Sequence, residues 1–412
     1  MSSSNKTELP SFEQARALVE AYAAKLPLPG VESVALLESD GRILAEELRA
    51  DRDFPPFARA TRDGFAVRAA DVATVPATLN VVSEIAAGAA SDRGIEPGEA
   101  AEIMTGAPLP GGADAVVMVE YTRRERDRVT VDRSARSGEN FVPRGAEAGE
   151  GDLLITSRSR LNPAAIAIAA SVGKSSLTVY RRPTVAIVAT GDELVEVADA
   201  PGASQIRNSN SYSIAAQVRR AGGQARILPI ARDNEKSIRT AVQTAKSADL
   251  LVLSGGVSMG KYDLVEQVLE REGAQFHMTG ARIQPGKPIV FGTLPRDSGA
   301  LPFFGLPGNP VSTMVTFDLF VAPVLAALAG AAAAPLRFAH AKLSEDFKIA
   351  PGLTRFLPAF LSGTASDIRV TIVPWHGSGD LAAIVRANCY LVVPPEATLL
   401  ARDAYVTVLL KD

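Results

Sequence analysis

The chain has 412 residues, 47% hydrophobic and 22% charged, with 43 Lys and Arg against 46 Asp and Glu for a formal net charge of −3. That length exceeds what one hydrophobic core organises, so several globular domains are expected. The nearly balanced charge excludes a general attraction to nucleic acid or to an anionic membrane, and any anion site must be local. Cys389 is the single cysteine, which excludes a disulfide framework and a cysteine metal cluster, and His277, His340 and His376 lack the paired spacing of a zinc site. Residues 1–10 are polar, without the apolar stretch of a signal peptide. The most hydrophobic stretch, 317–334, is interrupted by Asp318, Pro323 and Gly330 and reads as a buried helix rather than a membrane span, so a cytoplasmic protein is expected.

In chain order, Ala15, Leu18, Val19, Tyr22 and Ala23 share one face of a helix over 11–25. A short helix-like piece follows at 34–37, and Gly41-Arg42-Ile43-Leu44 opens a strand. From Asp53-Phe54-Pro55-Pro56 to about residue 152, short apolar runs at 78–82, 113–120 and 129–131 alternate with Gly, Pro and Asp turns, the pattern of a β-rich module. The charged run 122–128 reads as a solvated hairpin end. Residues 158–180, with Pro163 near a helix start and Gly173 near its end, return to helix. Residues 1–50 and 153–181 are thus expected to form one split helical domain interrupted by a β-rich insertion at 51–152.

From 182 to 330 strand and helix alternate, which implies a parallel sheet with right-handed crossovers and a ligand site beyond the carboxyl ends of its strands. The 184–189 strand runs into Thr190-Gly191-Asp192-Glu193. A helix at 211–220 stops at Gly222-Gly223, a strand at 225–230 leads to Arg232-Asp233-Asn234, and a helix continues through Lys246. Leu250, Leu251, Val252 and Leu253 then lack polar alternation, as in a strand buried on both faces. After Ser254, Gly255, Gly256 and Gly260 let the backbone approach a ligand closely, and a helix beginning near Tyr262 would aim free N–H groups at an anion. Asp263 beside such a site makes sense with a divalent cation between them; alternatively it is an acidic residue favoured by the helix dipole. Asp192/Glu193, Asp233 and Asp263 all follow apolar strands and should gather on one edge, which favours a metal site over three helix caps.

Two further loops supply donors: Gln284-Pro285-Gly286-Lys287-Pro288, and Gly305-Leu306-Pro307-Gly308-Asn309-Pro310-Val311-Ser312. In the second, Asn309 or Pro310 begins a helix through Leu328 with Ser312 in its first turn. Lys287 either places a charge on an oxyanion or is a solvated loop lysine. After a linker at 331–335, the chain to 412 reads as the short strands of a β-barrel, turning at Pro351-Gly352 and Gly377-Ser378-Gly379.

Six motifs occur in order along essentially the whole chain. They are Thr61-Arg62-Asp63-Gly64-Phe65-Ala66-Val67, Glu102-Ile103-Met104-Thr105-Gly106-Ala107, Ala189-Thr190-Gly191-Asp192-Glu193-Leu194, Ser254-Gly255-Gly256-Val257-Ser258, Pro285-Gly286-Lys287-Pro288 and Leu306-Pro307-Gly308-Asn309-Pro310-Val311-Ser312. In this set the chain resembles the molybdopterin molybdenumtransferase family, which includes bacterial MoeA and the E domain of gephyrin. The resemblance implies an α/β multidomain fold: the split helical domain serving dimerisation, the β-rich insertion, a central α/β molybdopterin-binding domain at 182–330 and a C-terminal β-barrel at 331–412. It also implies a homodimer that inserts molybdate into adenylylated molybdopterin with Mg²⁺, releasing AMP and forming molybdenum cofactor, with transient contact to the molybdopterin adenylyltransferase and to acceptor molybdoenzymes. By the matching motifs, Glu193, Asp233 and Asp263 would serve metal and pyrophosphate, with Asp63 and Thr105 lining the same cleft. Ser254, Gly255, Gly256, Pro307, Gly308 and Asn309 would bind the cofactor precursor, and Lys287, Ser312, Arg355 and Ser378 would hold molybdate.

Such donors suit a hard tetrahedral dianion, and carboxylate-held Mg²⁺ would neutralise charge on a breaking pyrophosphate. Some positions depart from the family pattern. Arg62 stands where methionine is usual, Phe65 where tyrosine is usual and Ala146-Glu147 where Glu-Asp is usual. Gln284 replaces a frequent lysine, with Arg282 as a nearby source of the missing charge. Two other readings compete. One is a nucleotide-pyrophosphate hydrolase like the competence-damage-inducible family, which the Asp63 and Thr105 motifs disfavour. The other is a non-enzymatic scaffold, which the cleft carboxylates and Lys287 disfavour.

Overall fold

The computed structural model describes residues 8–89, 93–256, 264–297 and 299–411. The strand Leu250–Ser254 is buried throughout and lies inside a six-stranded sheet, flanked in parallel by Thr184–Ala189 and Gly299–Leu306. Gln224–Ile227 extends the parallel part, whereas Val290–Arg296 and Gln275–Met278 add two antiparallel strands at the other edge. The sheet is therefore mixed rather than all parallel, because 290–296 and 299–306 are joined by a tight hairpin that only antiparallel strands accept.

Both sheet faces are covered, which explains the apolar runs. Val185, Ile187, Leu250, Val252, Phe304 and Leu306 point to one core, shared with Asn210–Arg220 and the 310–328 helix. Ala186, Val188, Leu251, Leu253 and Phe303 point to the other, under Glu235–Ala245 and Leu264–Arg271. The 310–328 helix is α-helical at both ends with a π turn at Phe317–Val321 between. It alone among the described residues is long and apolar enough to cross a membrane, yet it lies inside the first core.

The first helix, Phe12–Ala23, starts at a Ser11/Gln14 capping box. Grouped from the sequence with the split helical domain, it instead joins the core of the α/β domain. Arg16 donates to the Leu319 carbonyl, and the Phe12 ring meets Phe320 and Phe356 edge-on at 6.2 and 5.0 Å.

The split domain is less helical than expected. Its one helix of 158–180, Pro163–Ser171, is capped by Asn162 and ends before Gly173 at φ 75°. Ser176–Tyr180 turns into a strand against Val31–Ala35, since Leu177 and Val179 alternate into a small core with Leu44, Leu48, Leu161 and Ala169. The piece at 34–37 is accordingly a strand end followed by a 3₁₀ turn at Leu36–Ser39, and Gly41-Arg42-Ile43-Leu44 makes only isolated bridges.

The insertion is a second six-stranded sheet, and its two cores draw only on residues 60–141. Thr122–Glu125 and Arg128–Val131 form the expected charged hairpin. At the C-terminus, Thr354–Thr364, Asp367–Ile372, Phe338–Leu343, Tyr405–Leu410 and Cys389–Val393 close into a five-stranded barrel. A parallel pairing of Ile283–Gln284 with Thr354 and Arg355 stitches this barrel to the α/β domain.

Phe356 is fully buried where barrel, first helix and α/β core meet. Phe356→Ala should cost about 3–5 kcal/mol through the cavity it leaves. Urea denaturation would read this as a lower midpoint; an unchanged midpoint would show that the domains do not depend on this joint.

Candidate active site

Three parallel strands end side by side, and the ladder continues past them. Thr190 N–H donates to the Ser254 carbonyl at 3.0 Å, and Gly255 N–H to the Leu306 carbonyl at 3.2 Å. Gly255 has φ 87°, and a Cβ there would stand 2.6 Å from the Thr190 carbonyl oxygen. At Gly256 a Cβ would stand 2.5 Å from Val265 Cγ2 and 2.6 Å from Thr190 Oγ1, and at Gly308 it would be 3.6 Å from Gly255 Cα. Backbone contact and a positive φ require glycine at 255, packed side chains and a positive φ require it at 256, and at 308 the approach is an ordinary contact. Asn210 clamps the turn: its Nδ2 donates to Ser254 Oγ at 2.9 Å and to the Gly308 carbonyl at 2.7 Å.

Asn208, Asn210 and Ser211 were not singled out from the sequence. Thr190 Oγ1, Asn208 Nδ2, Asn210 Oδ1 and Ser211 Oγ are buried without a hydrogen-bond partner among the described residues. Polar atoms of this kind are costly unless water or a ligand completes them, which makes the cradle a candidate binding site. The available signal was the polar run Asn208-Ser209-Asn210-Ser211 where a strand meets a helix.

On the acidic side, Asp192 and Asp233 are joined reciprocally. Asp192 N–H donates to Asp233 Oδ2 at 3.3 Å, and Asp233 N–H to Asp192 Oδ1 at 3.2 Å. Arg232 Nη1 donates to the carbonyls of Asp192 and Leu194 and so holds the two loops together. Glu193 is exposed, with its carboxylate folded over Gly191. Among the described residues no three acidic, His or Cys side chains converge. Asp263, with Val257 to Tyr262, lies outside the described residues. Two hard carboxylates on adjacent strand ends nonetheless have the chemistry Mg²⁺ takes.

On the donor side, Asn309 Nδ2 donates to Ser378 Oγ at 2.9 Å and Val311 N–H to the Ser378 carbonyl at 2.9 Å, fixing the barrel turn at the start of the 310–328 helix. Gly286 rests against Thr316, one turn beyond Ser312. Arg355 is only 8% exposed and has no carboxylate partner among the described residues. Its Nε donates to Gln284 Oε1 at 2.7 Å. A guanidinium this buried calls for an anion. Lys287 is exposed and likewise makes no ion pair with a described residue. Arg282 does not supply the charge expected of it: its Nη1 pairs with Glu8 Oε1 at 2.7 Å. Glu147 pairs with Arg59 at 2.7 Å.

Asp63 and Thr105 meet each other in the insertion. Asp63 Oδ1 accepts from Thr105 N at 2.6 Å and from Thr105 Oγ1 at 2.8 Å. Thr105 N–H, then its hydroxyl, hold the Asp63 carboxyl below the usual carboxylate range. The insertion has its own cores, and among the described residues no hydrogen bond joins this pair to the acidic loops.

Family models match this chain along most of its length: the MoeA N-terminal region (domain I and II) over 10–173, a probable molybdopterin binding domain over 186–327 and the MoeA C-terminal region (domain IV) over 340–411. A molybdopterin molybdenumtransferase of Nostoc sp. is 35% identical, covering 98% of this chain and 94% of its own. That of Bacillus subtilis is 34% identical, over 88% and 86%. A molybdopterin biosynthesis MoeA protein of Pyrococcus horikoshii superposes with TM-score 0.78 at 27% identity, covering 98% of this chain and all of that one; a second structure gives 0.71 at 30%, covering 98% and 99%.

Thr105→Val removes the hydroxyl but keeps the N–H, so the Asp63 titration, followed by NMR, should move partway up toward the ordinary carboxylate value. In the unaltered chain the depressed pKa means that the Asp63 bond stabilises the Thr105 turn above the unfolded carboxylate pKa. That contribution is lost as pH falls through the lower folded value. An unmoved titration in the variant would show that the hydroxyl does not bond the carboxylate.

Proposed function

Because this chain belongs to the molybdopterin molybdenumtransferase family and is an enzyme of molybdenum-cofactor biosynthesis, we propose that its cleft inserts molybdate into adenylylated molybdopterin, releasing AMP. The observation that carries the proposal is the glycine cradle. It is clamped by Asn210 and adjoins the Asp192 and Asp233 loops, while Arg355, buried and without a carboxylate partner among the described residues, stands where the barrel joins the α/β domain.

In this reading Ser254, Gly255, Gly256, Pro307 and Gly308 receive the phosphate-bearing precursor, close backbone approach replacing side-chain bulk. Glu193 and Asp233, joined by Asp263, would hold Mg²⁺, which when bound neutralises charge on the pyrophosphate oxygens. Arg355, Lys287, Ser312 and Ser378 orient molybdate, with Asn309 fixing Ser378. No protein nucleophile is needed. The defining test combines purified protein, adenylylated molybdopterin, Mg²⁺ and molybdate, and scores AMP release together with activation of an apo-molybdoenzyme. Absence of both would overturn the assignment.

We further propose a homodimer in which Asp63 and Thr105 of one subunit complete the cleft of the other. Supporting this, the 163–171 helix is apolar all round, yet Ala164, Ala167, Ile168 and Ala170 are exposed on it, a face suited to a second copy. An isologous dimer has two equivalent clefts.

Two outcomes follow. Arg355→Gln should raise the molybdate concentration needed for half-maximal turnover at least about tenfold, by removing a charge-assisted bond. Binding of adenylylated molybdopterin, measured by calorimetry, should change little; the reverse pattern would reassign Arg355 to the pterin phosphate. Asp63→Ala and Asp233→Ala should each be nearly inactive, yet mixing them with verified subunit exchange should restore up to about half of wild-type activity per mixed dimer, since one cleft escapes both lesions. No recovery would place each cleft within a single chain.

A further inference from the structure

The six-stranded sheet of the α/β domain ends on one side at Gln224–Ile227, which pairs only with Thr184–Ala189. Gln224 N–H donates to the Pro183 carbonyl at 2.8 Å and Leu228 N–H to the Ile187 carbonyl at 2.9 Å, so the even-numbered residues bond inward. Ala225 and Ile227 between them turn N–H and C=O to the open side, and Pro229 adds a carbonyl without an N–H. A short edge ended by proline is an ordinary guard against edge-to-edge aggregation. This one differs in the cavity of about 360 Å³ beside it, walled by Leu228, Pro229 and Ile230 of the edge segment and by Lys236, Thr240 and Thr244 of the 235–245 helix. Most polar groups around the cavity are already engaged. Thr240 Oγ1 donates to the Lys236 carbonyl at 2.8 Å and Thr244 Oγ1 to the Thr240 carbonyl at 2.9 Å. Asn234 Oδ1 accepts from Ser237 N–H, and Ser237 Oγ from Arg232 N–H, each at 2.9 Å. Of the lining residues only Lys236 is charged; it is exposed and makes no ion pair with a described residue. Its neighbour Glu235 is turned to Arg271. At the far end Arg226 Nη2 donates to the Thr244 carbonyl at 2.9 Å and to Ser247 Oγ at 3.0 Å, so a second cation borders the groove.

We propose that this groove takes an extended acidic segment of a partner protein, which adds a strand to the 224–227 edge, places one apolar side chain in the cavity and sets a carboxylate on Lys236. Each part answers an observation. The open N–H and C=O groups of Ala225 and Ile227 call for another backbone, the cavity for a side chain from alternate positions of that backbone, and the unpaired ammonium for an anion. Pairing with a free sheet edge, with pockets beside it that read alternate side chains, is a general mode of peptide recognition. Charge decides which segment fits. Lys236 and Arg226 repel a basic one, and no carboxylate lines the cavity to attract it. A small anionic molecule would satisfy Lys236 while leaving the edge unpaired. The proposal is independent of the reaction assigned to the cleft, since no residue given a role there enters it.

Short random peptides displayed on phage, selected on the full chain and counter-selected on Ala241→Trp, provide the probe. Ala241 is half-buried on the helix wall, and tryptophan there fills the cavity. Enriched sequences should carry acidic residues around an apolar one. Their synthetic forms, followed by fluorescence anisotropy, should bind Ala241→Trp and Lys236→Glu at least about tenfold more weakly than the unaltered chain, each variant first checked for wild-type melting. Lys236→Glu changes only an exposed side chain and keeps the test standing if the tryptophan variant does not fold. Amide hydrogen exchange at Ala225 and Ile227 should be fast in the free chain and slowed by the bound peptide. No enrichment, enrichment of basic sequences, equal affinity for folded Lys236→Glu, or binding that leaves these two amides fast overturns the proposal. Protection of both amides in the free chain that disappears on dilution would also overturn it, giving the edge to a second copy of the chain.

Discussion

The structure depends on the close approach of backbone to backbone where the 184–189, 250–254 and 299–306 strands end. Gly255 lies against the Thr190 carbonyl with no room for a Cβ, Gly308 stands beside it, and Asn210 bonds two of the three strand ends at once. A substituent at Gly255 or Gly256 would meet backbone or a packed side chain, so the strand ends could move apart only by breaking the ladder bonds that run past them. That rigidity gives the acidic loops at 192–193 and 233, and the helix start at 309–312, common fixed origins. Pre-positioning of this sort lets loop residues act with the precision of a scaffold.

The proposed anion end adds a second constraint, because two domains build it. Arg355 and Ser378 come from the barrel, whereas Gln284, Lys287 and Ser312 come from the α/β domain. Docking of the domains and formation of the site are thus one event. One hydrophobic core crosses the joint, from the sheet through Phe317 and Phe320 to Phe356 and Tyr390. Within it, Asp318 at the π turn accepts from Gln217 Nε2 at 2.7 Å and from Tyr390 OH at 3.3 Å. A half-buried carboxylate gains from donors, so this contact penalises rotations of the barrel that apolar packing alone would tolerate.

Much of the α/β domain was legible because its constraints are local. A strand buried on both faces reads as an unbroken apolar run, and a backbone that must pass close to another reads as glycine. The barrel showed itself by short strands and Gly turns. What escaped depends on contacts distant in sequence. The first helix has an ordinary amphipathic pattern, and nothing in it tells that Phe12 packs on Phe356 rather than within its own half of the chain. The 176–180 strand was read as helix because Pro163 and Gly173 announce a helix without saying how soon it ends. Arg282 looked available until the N-terminal segment brought Glu8 onto it. Asn210 was hidden for the same reason, since its worth lies in Ser254 and Gly308, 44 and 98 residues away.

These pairings bear on how a chain of net charge −3 would hold the anion proposed for it. Had a carboxylate stood within reach of Arg355, the buried guanidinium would have been neutralised internally, and the anion would have had to displace it. The fold avoids this by spending charges elsewhere. Glu8 takes Arg282, Arg59 takes Glu147, and Asp380 is consumed by backbone N–H groups. Arg232, which stands beside the acidic loops, is directed at carbonyls of Asp192 and Leu194 rather than at a bound anion. The acidic loops follow the 184–189 and 224–227 strands, whereas Arg355 sits on the barrel strand that pairs with 283–284, so the opposite charges are carried by different elements. In the proposed reaction, placing a cation and an oxyanion on one precursor depends on opposite charges being carried by different elements, a property that composition does not register.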